Sequence, residues 1–355
     1  MTNNKHIWAI VMAGGLGSRF WPVSGIDCPK QFVDTMGVGR SMLQLTFERM
    51  EKLCPRDHVI VVTGEQYTDR VREQVPGLLP WQVLGEPLRR NTAPCIAYAS
   101  WRIKALNPQA NIVVTPADHI VMNVAEFRRV VVSALNFTAE TDSIVTLGMK
   151  PTRPETGYGY IQADLSVASA RNREVYRVDS FHEKPELSVA EKYVKHKNFF
   201  WNSGIFLFRV QTIVNALRIY TPEISQIFEP LLPVYGTPEE QETINREFPK
   251  CPNISIDYAV MEKSEEIFVF PASFGWSDLG TWGSLHEQSV KDGHENVCIG
   301  QRIELHDTNR CIVHTQQEKR VIIQGLDGFI VAEKDNTLLI CRRDEEQRIR
   351  QFVEE

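Results

Sequence analysis

The sequence has no long apolar run. None of its segments reaches the roughly 18–20 residues needed to cross a bilayer, and the opening Met1-Thr-Asn-Asn-Lys-His-Ile7 has no apolar signal core. Membrane insertion is not expected. Positive charge is not in surplus either: 39 Lys and Arg stand against 45 Asp and Glu, a formal net charge of -6. Such a chain has no global field to attract nucleic acid or an anionic membrane, so a phosphorylated ligand must be held by local cations. Cysteine is sparse, with seven residues at 28, 54, 95, 251, 298, 311 and 341 and no C-x-x-C pair. The odd count and scattered spacing argue against a disulfide framework and a zinc pattern, and a reducing cytoplasm fits best. Neither a low-complexity tract nor a convincing repeat is found. The remaining composition, 43% hydrophobic and 24% charged over 355 residues, belongs to a globular protein with a large core and room for two domains.

The richest stretch is Ala13-Gly-Gly-Leu-Gly-Ser-Arg-Phe-Trp-Pro-Val-Ser-Gly-Ile-Asp-Cys-Pro-Lys30, which follows the apolar run Ile7–Met12. Gly14, Gly15 and Gly17 let the backbone approach a polyphosphate and turn N–H groups toward it. Arg19 and Lys30 can neutralise phosphate oxygens. The spacing is not G-x-G-x-x-G, and the Gly-Lys-Ser/Thr ending of a P-loop is missing. The alternative is a plain glycine-rich turn between a strand and a helix.

The first half alternates apolar runs (Ile7–Met12, Val59–Thr63, Asn111–Thr115, Ser143–Leu147) with helical patterns near 41–53, 91 onward and 125–139. Asn91 and Thr92 are cap candidates ahead of Pro94. Strands flanked by helices imply a mostly parallel sheet covered on both faces, with ligands beyond the strands' carboxyl ends. From Gly157 the pattern is mixed: strands at 158–162, 175–181 and 201–210, helices near 189–196, 211–220 and 237–247. Past Asn296, short apolar runs separated by Asp, Asn, Gly and Lys suggest a small β domain, and 344–355 reads as a charged terminal helix.

Several acids and cations stand where chemistry is expected. Asp118, at the end of Ile112-Val-Val-Thr-Pro-Ala, suits a magnesium ion carrying nucleotide phosphates; a helix cap is the alternative. Its neighbour His119 reads as structural. Asp278, in Phe274-Gly-Trp-Ser-Asp-Leu-Gly-Thr-Trp282, is the second metal candidate, since magnesium takes only one or two protein carboxylates; it too reads alternatively as a cap. In Phe181-His-Glu-Lys-Pro185, Lys184 can pair with a sugar phosphate while Glu183 accepts from hydroxyls, or the two form a surface ion pair. Asn202, in Trp201-Asn-Ser-Gly204, suits vicinal hydroxyls or a turn leading into a strand. Around Gly157, Thr156-Gly-Tyr-Gly-Tyr-Ile161 is a glycine hinge beside a ligand or a bent strand.

In their order these stretches resemble the sugar-nucleotide pyrophosphorylase superfamily, and in detail the mannose-1-phosphate guanylyltransferases. The resemblance covers nearly the whole chain: Gly14–Arg19 with Pro29–Phe32, Glu86-Pro87 with Asn91–Pro94, Pro116–His119, Gly157–Ile161, Phe181–Pro185, Trp201–Gly204, Ser255–Lys263 and Gly275–Trp282. Two departures, His182 in place of the usual Val and no basic residue near Gly25, touch no assigned group.

The resemblance implies a Rossmann-like, GT-A-like α/β nucleotidyltransferase with a mixed sheet flanked by helices over residues 1–290. A small β-rich domain over 291–355 resembles a short left-handed β-helix used for homodimer contact. It implies GDP-mannose and pyrophosphate from GTP and mannose 1-phosphate by in-line attack on the α-phosphorus. Mg2+, with Mn2+ as substitute, sits on Asp118 and Asp278. The catalytic set is Arg19, Lys30, Asp118, Lys184 and Asp278. Gly14, Gly15, Gly17, Ser18, Arg19, Lys30, Glu86, Asn91 and Asp118 bind the nucleotide; Gly157, Tyr158, Glu183, Lys184 and Asn202 bind the sugar phosphate. Glu86 is the candidate reader of guanine, whose N1–H and amine call for an acceptor. The phosphomannose isomerase domain of some relatives is not in this chain, so a single activity is expected. Competing expectations are another sugar 1-phosphate such as a heptose, or a non-catalytic GDP-mannose-binding regulator; the latter tends to lose a metal carboxylate or the loop lysine, and both are here.

Overall fold

The run at residues 7–12 becomes strand β1 (Ile7–Met12), whose residues are almost all buried, as expected for a parallel strand covered on both faces. The computed structural model describes residues 4–353 apart from positions 16, 18, 19 and 317. The roles expected of Ser18 and Arg19 therefore lie outside the described residues. After β1 come α1 (Met42–Glu51), β2 (Val59–Gly64), α2 (Thr68–Gln74), β3 (Val83–Glu86), α3 (Thr92–Leu106), β4 (Asn111–Pro116), the two-residue β5 (Ile120–Val121), α4 (Val124–Ala139) and β6 (Ile144–Met149). Then follow β7 (Tyr160–Ala168), β8 (Tyr176–His182), α5 (Leu187–Lys195), β9 (Phe199–Arg209), α6 (Val210–Tyr220), α7 (Pro222–Phe228), α8 (Glu240–Glu247), β10 (Ile267–Ala272), β11 (Trp276–Ser277) and α9 (Trp282–Gln288). The chain closes with β12 (Val297–Ile299), β13 (Arg302–His306), β14 (Ile312–His314), β15 (Arg320–Gln324), β16 (Phe329–Lys334), β17 (Thr337–Arg342) and α10 (Ile349–Val353).

The chain forms two compact units. The first comprises Met1–Gly14, Phe47–Ala117 and Val121–Trp276; the second comprises Gly15–Thr46, Asp118–Ile120 and Ser277–Glu355. In the first, nine strands order as β3-β2-β1-β4-β9-β6-β10-β8-β7. The alternation in the first half of the sequence produces the parallel block β3-β2-β1-β4, with Ile10 opposite both Ile60 and Val114. Strand β9 runs antiparallel between β4 and β6, which makes the sheet mixed. Helix α3 starts where expected: the Asn91 side chain accepts from the Thr92 N–H, and Pro94 sits in the first turn, where its missing N–H costs nothing. Its buried faces join one core with Trp8, Ile60, Phe206 and Phe228.

In the second unit, β12, β14 and β16 stack in parallel, with Cys298, Val313 and Val331 in one row, and β13 pairs with β15 in parallel. This is a short β-helix-like coil, finished by the antiparallel hairpin β16–β17. Its rungs share a core with residues far earlier in the chain: Phe20, Val23 and Met42 pack with Leu279, Trp282, Ile312 and Ile330. The charged C-terminal segment forms a 3-10 turn over Arg343–Arg348 before α10. No described helix is long and apolar enough to cross a membrane.

Candidate active site

In the second unit the glycine loop and its lysine form one object. Pro29 precedes a 3-10 turn that buries Lys30 and Gln31, and Gln31 Nε2 donates to Gly15 O at 2.9 Å. Gly17 has φ +61°, and a Cβ there would overlap the Lys30 side chain, so only glycine fits. Lys30 is 4% exposed, and its three N–H groups meet three oxygens: Asp118 Oδ2 at 3.1 Å, Asp278 O at 2.6 Å and Leu279 O at 3.2 Å. A single ammonium thus touches the carboxylate of Asp118 and the backbone carbonyl of Asp278, the two acidic residues singled out in the sequence, 160 residues apart along the chain (278 less 118). Burial alone pushes the Asp118 carboxyl up, but Lys30, and then His119, outweigh it and hold it below the ordinary carboxylate range. His119 Nε2 lies 3.7 Å from Asp118 Oδ1.

The helix-cap readings of both acids fail. Helix α4 is capped by Asn123, whose side chain accepts from Glu126 N, and α9 by Thr281, which accepts from Ser284 N. Asp278 Oδ1 accepts instead from Gly280 N at 2.8 Å, and Leu279 takes a left-handed φ of 45°. A non-glycine residue in that region is a strained arrangement of the kind that clusters at functional sites. Among the described residues no group of three or more His, Cys, Asp or Glu side chains gathers as a metal cage. The Asp118 carboxylate and the Asp278 main chain share one ammonium, which puts two acidic residues at one place in the fold; oxygen donors of this kind suit a hard ion that keeps water and phosphate as its remaining ligands, so the residue types present fit magnesium.

In the first unit, β1 and β3 bring Gly14 and Glu86 together: a Cβ on Gly14 would lie 3.4 Å from Glu86 Oε2. Glu86 is buried and its Oε1 has no hydrogen-bond partner. Burial pushes its carboxyl up to about 8, against the opposing effects of the Cys95 thiol and Arg89. At neutral pH Glu86 is therefore protonated and offers both an O–H donor and a carbonyl acceptor. Asn91 spends its side-chain oxygen on the cap of α3.

A second cluster of this unit lies at the ends of β7, β8 and β9. Lys184 follows β8 with φ +45°, and its Nζ pairs with Glu183 Oε1 at 2.9 Å. Gly159 lets the Glu183 carboxylate lie close to the backbone: a Cβ would come within 2.6 Å of Glu183 Oε2. Gly157 N donates to Glu155 Oε1 at 3.1 Å. Tyr158 meets Trp201 and Trp276 edge-on, with centroids 5.2 and 5.3 Å away, and the three rings make an apolar wall. The amide of Asn202 is engaged within the protein: Nδ2 donates to Asp257 Oδ1 at 2.7 Å, and Oδ1 accepts from Gly204 N and Thr146 Oγ1. Asn202 thus orients Asp257.

Asp257 is the residue that sequence reasoning missed. It opens the π-helical turn Asp257–Met261, a local form that often marks functional sites. Burial, then the neighbouring Glu183 carboxylate, push its carboxyl up to about 6, against the hydrogen bond from Asn202. The stretch Ser255–Lys263 had been singled out only as part of the resemblance; an acid in an apolar helical pattern was the available signal. His182 belongs to packing: its ring lies among Tyr193 and Phe199, Ser180 contacts Nε2, and burial lowers its basicity.

Comparison with known proteins gives the family. A family model described as nucleotidyl transferase matches residues 8–295, and one described as MannoseP isomerase/GMP-like beta-helix domain matches residues 300–355. A putative mannose-1-phosphate guanylyltransferase of Vibrio cholerae serotype O1 is 37% identical over 97% of this chain and 73% of its own length. A mannose-1-phosphate guanylyltransferase of Escherichia coli is 36% identical over 97% of this chain and 74% of its own. A crystal structure described as mannose-1-phosphate geranyltransferase from Thermus thermophilus superposes with a TM-score of 0.87 at 33% identity, covering 98% of both chains.

Proposed function

The chain belongs to the nucleotidyl transferase family, and from that premise we propose that it joins GTP and mannose 1-phosphate into GDP-mannose, releasing pyrophosphate. The observation that carries this reading is the contact of Lys30 with the Asp118 carboxylate and the Asp278 backbone carbonyl beside the glycine loop. The sugar-phosphate oxygen attacks the α-phosphorus in line, and pyrophosphate leaves. No protein nucleophile is needed, because such transfers depend on positioning and on neutralising charge. Magnesium, or manganese in its place, held by Asp118 and Asp278, supplies charge neutralisation at the phosphate oxygens.

Lys30, with Arg19 and Ser18, binds the triphosphate and the departing pyrophosphate; Gly14, Gly15 and Gly17 turn backbone toward it. Lys184 leaves its pairing with Glu183 for the sugar phosphate. Glu183 and Asp257 accept from mannose hydroxyls, with Gly157 and Tyr158 against the ring and Asn202 orienting Asp257. Glu86 reads the guanine edge. The catalytic domain of this reading is residues 1–290, and residues 291–355 form the small β domain. The protein works as a homodimer in the cytoplasm. Exposed Leu338 and Ile340 on β17, 60% and 55% accessible, support a self-association face on the coil, and the described cysteines are all free thiols.

Pyrophosphate release from GTP, measured with mannose, glucose and heptose 1-phosphates and with no sugar phosphate, tests the reading. Release dependent on mannose 1-phosphate is expected. Equal or greater turnover with a heptose 1-phosphate would move the substrate assignment, and no release with any of them would leave a binding protein.

A further inference from the structure

The link between β6 and β7, residues 150–159, is loop, and it carries Gly157 and Tyr158 to the sugar-phosphate cluster. Loop backbone outside helices and sheets is ordered by side chains or by a ligand, against its conformational entropy. Here one carboxylate ties the loop together. Glu155 Oε1 accepts from Gly157 N at 3.1 Å, and Oε2 accepts from Arg153 Nε at 3.2 Å. The Glu155 N–H donates to the hydroxyl of Tyr160 at 3.0 Å. Tyr160 is fully buried at the start of β7, so this contact fastens the loop to the sheet.

Both arms of the carboxylate end on the same indole. The Arg153 guanidinium lies 5.6 Å from the centre of a Trp201 ring, within cation–π range. Tyr158, which follows Gly157, meets Trp201 edge-on at 5.2 Å. One residue further, Gly159 O accepts from Asn202 N at 2.8 Å, and the Gly159 backbone lies against Glu183 Oε2. The path of the loop therefore sets where the exposed backbone of Gly157 stands relative to Glu183 and Asn202. A lone carboxylate next to a site for an anionic ligand would repel it, and the pairing with Arg153 offsets that charge. A half-buried Arg–Glu pair by itself adds little stability. The contacts with Gly157 and Tyr160 give this one a second consequence.

We propose that Glu155 is a positioning residue for the sugar half of the reaction. It braces the loop from Arg153 to Tyr158, so that Gly157 and Tyr158 are in place before the sugar phosphate arrives. This rests on the assignment of the cluster around Glu183 and Lys184 to the sugar phosphate. Without the brace the ligand itself must order the loop, and that cost falls on binding and not on the chemical step.

Two variants of the full chain, Glu155→Ala and Glu155→Gln, test this with two measurements. The first is amide hydrogen exchange of peptides covering residues 153–160, with and without mannose 1-phosphate. The second is the steady-state rate of pyrophosphate release. In Glu155→Ala the loop should exchange faster than in wild type, and mannose 1-phosphate should restore much of the lost protection. KM for the sugar 1-phosphate should rise about tenfold, while KM for GTP and the rate at saturation stay near wild type. Glu155→Gln keeps a carbonyl that can accept from Gly157 N, so its KM should lie between the two. A glutamate that only stabilised the fold would lower the melting temperature and would not single out one substrate. The proposal is overturned if exchange over 153–160 is the same in Glu155→Ala as in wild type. It is also overturned if the loop loosens but KM for the sugar phosphate does not change, or if KM for GTP rises equally. Failure of the assigned reaction is seen separately, in wild type alone: no release with any sugar 1-phosphate would remove both readings.

Discussion

Asp118 and Asp257 are the same side chain in opposite settings. Each is drawn toward neutrality by burial, but Lys30 lies 3.1 Å from Asp118 while the charged neighbour of Asp257 is the carboxylate of Glu183. The first carboxyl is held below its usual range; the second is pushed up to about 6. A permanently ionised oxygen pair is what a divalent ion needs. A carboxyl that shares its neighbourhood with another acid, and is oriented by Asn202, is better suited to hydroxyl groups. Charge placement, more than residue type, divides the labour.

The largest effect should come from removing the cation that defines the first setting. Lys30→Met keeps the length of the buried side chain and should lower the rate of pyrophosphate release by roughly a thousandfold or more, with an unchanged circular-dichroism spectrum. Asp118→Asn keeps shape and removes charge. Its turnover should fall by about a hundredfold and be partly recovered by raising magnesium, an outcome that a purely structural aspartate would not produce.

Asp257→Asn should act on the sugar: KM for mannose 1-phosphate rises by about tenfold, while KM for GTP stays put. The same variant sharpens the comparison through pH. A carboxyl raised from 3.8 to about 6 favours the folded state fully below pH 3.8, and that contribution is lost as pH rises through about 6. Wild-type stability, followed by urea denaturation, should therefore decline relative to Asp257→Asn between pH 4 and 6, and run parallel to it above.

The smallest effect is expected at Glu86, whose carboxyl is raised to about 8 and is already neutral at pH 7. Glu86→Gln mimics the protonated form. Relative to it, wild type should lose stability by up to roughly 1.4 kcal/mol per unit as pH rises from 5 to 8, levelling off beyond. If Glu86 reads guanine, the variant also narrows the preference for GTP over ATP; an unchanged preference removes Glu86 from that role.

Local signals made much of this legible. The apolar runs that became β1, β2, β4 and β6, and the Asn91 cap of α3, are patterns of adjacent residues. The glycine loop and Asp118 stood out because each follows such a run, Lys30 because it closes the glycine loop, and Asp278 because small residues and two tryptophans surround it. Strand β10 (Ile267–Ala272) was not read, since its short apolar stretch is bounded by acids on one side and contains Pro271. Strand β3 was missed because it is only four residues long with a glycine inside. The engagement of Asn202 could not be read either: its partners Thr146 and Asp257 meet it only through tertiary structure. The share of the early Phe20–Met42 segment in the core of the C-terminal coil is likewise set by packing alone.

The central claim is that Asp118 and Asp278 serve one divalent ion next to Lys30. Electron paramagnetic resonance of Mn2+ titrated into the protein with GTP measures this most directly. The account predicts one nucleotide-dependent bound Mn2+ in the wild type, lost in Asp118→Asn and in Asp278→Asn alike while both variants remain folded. Wild-type Mn2+ binding in folded Asp278→Asn would contradict it.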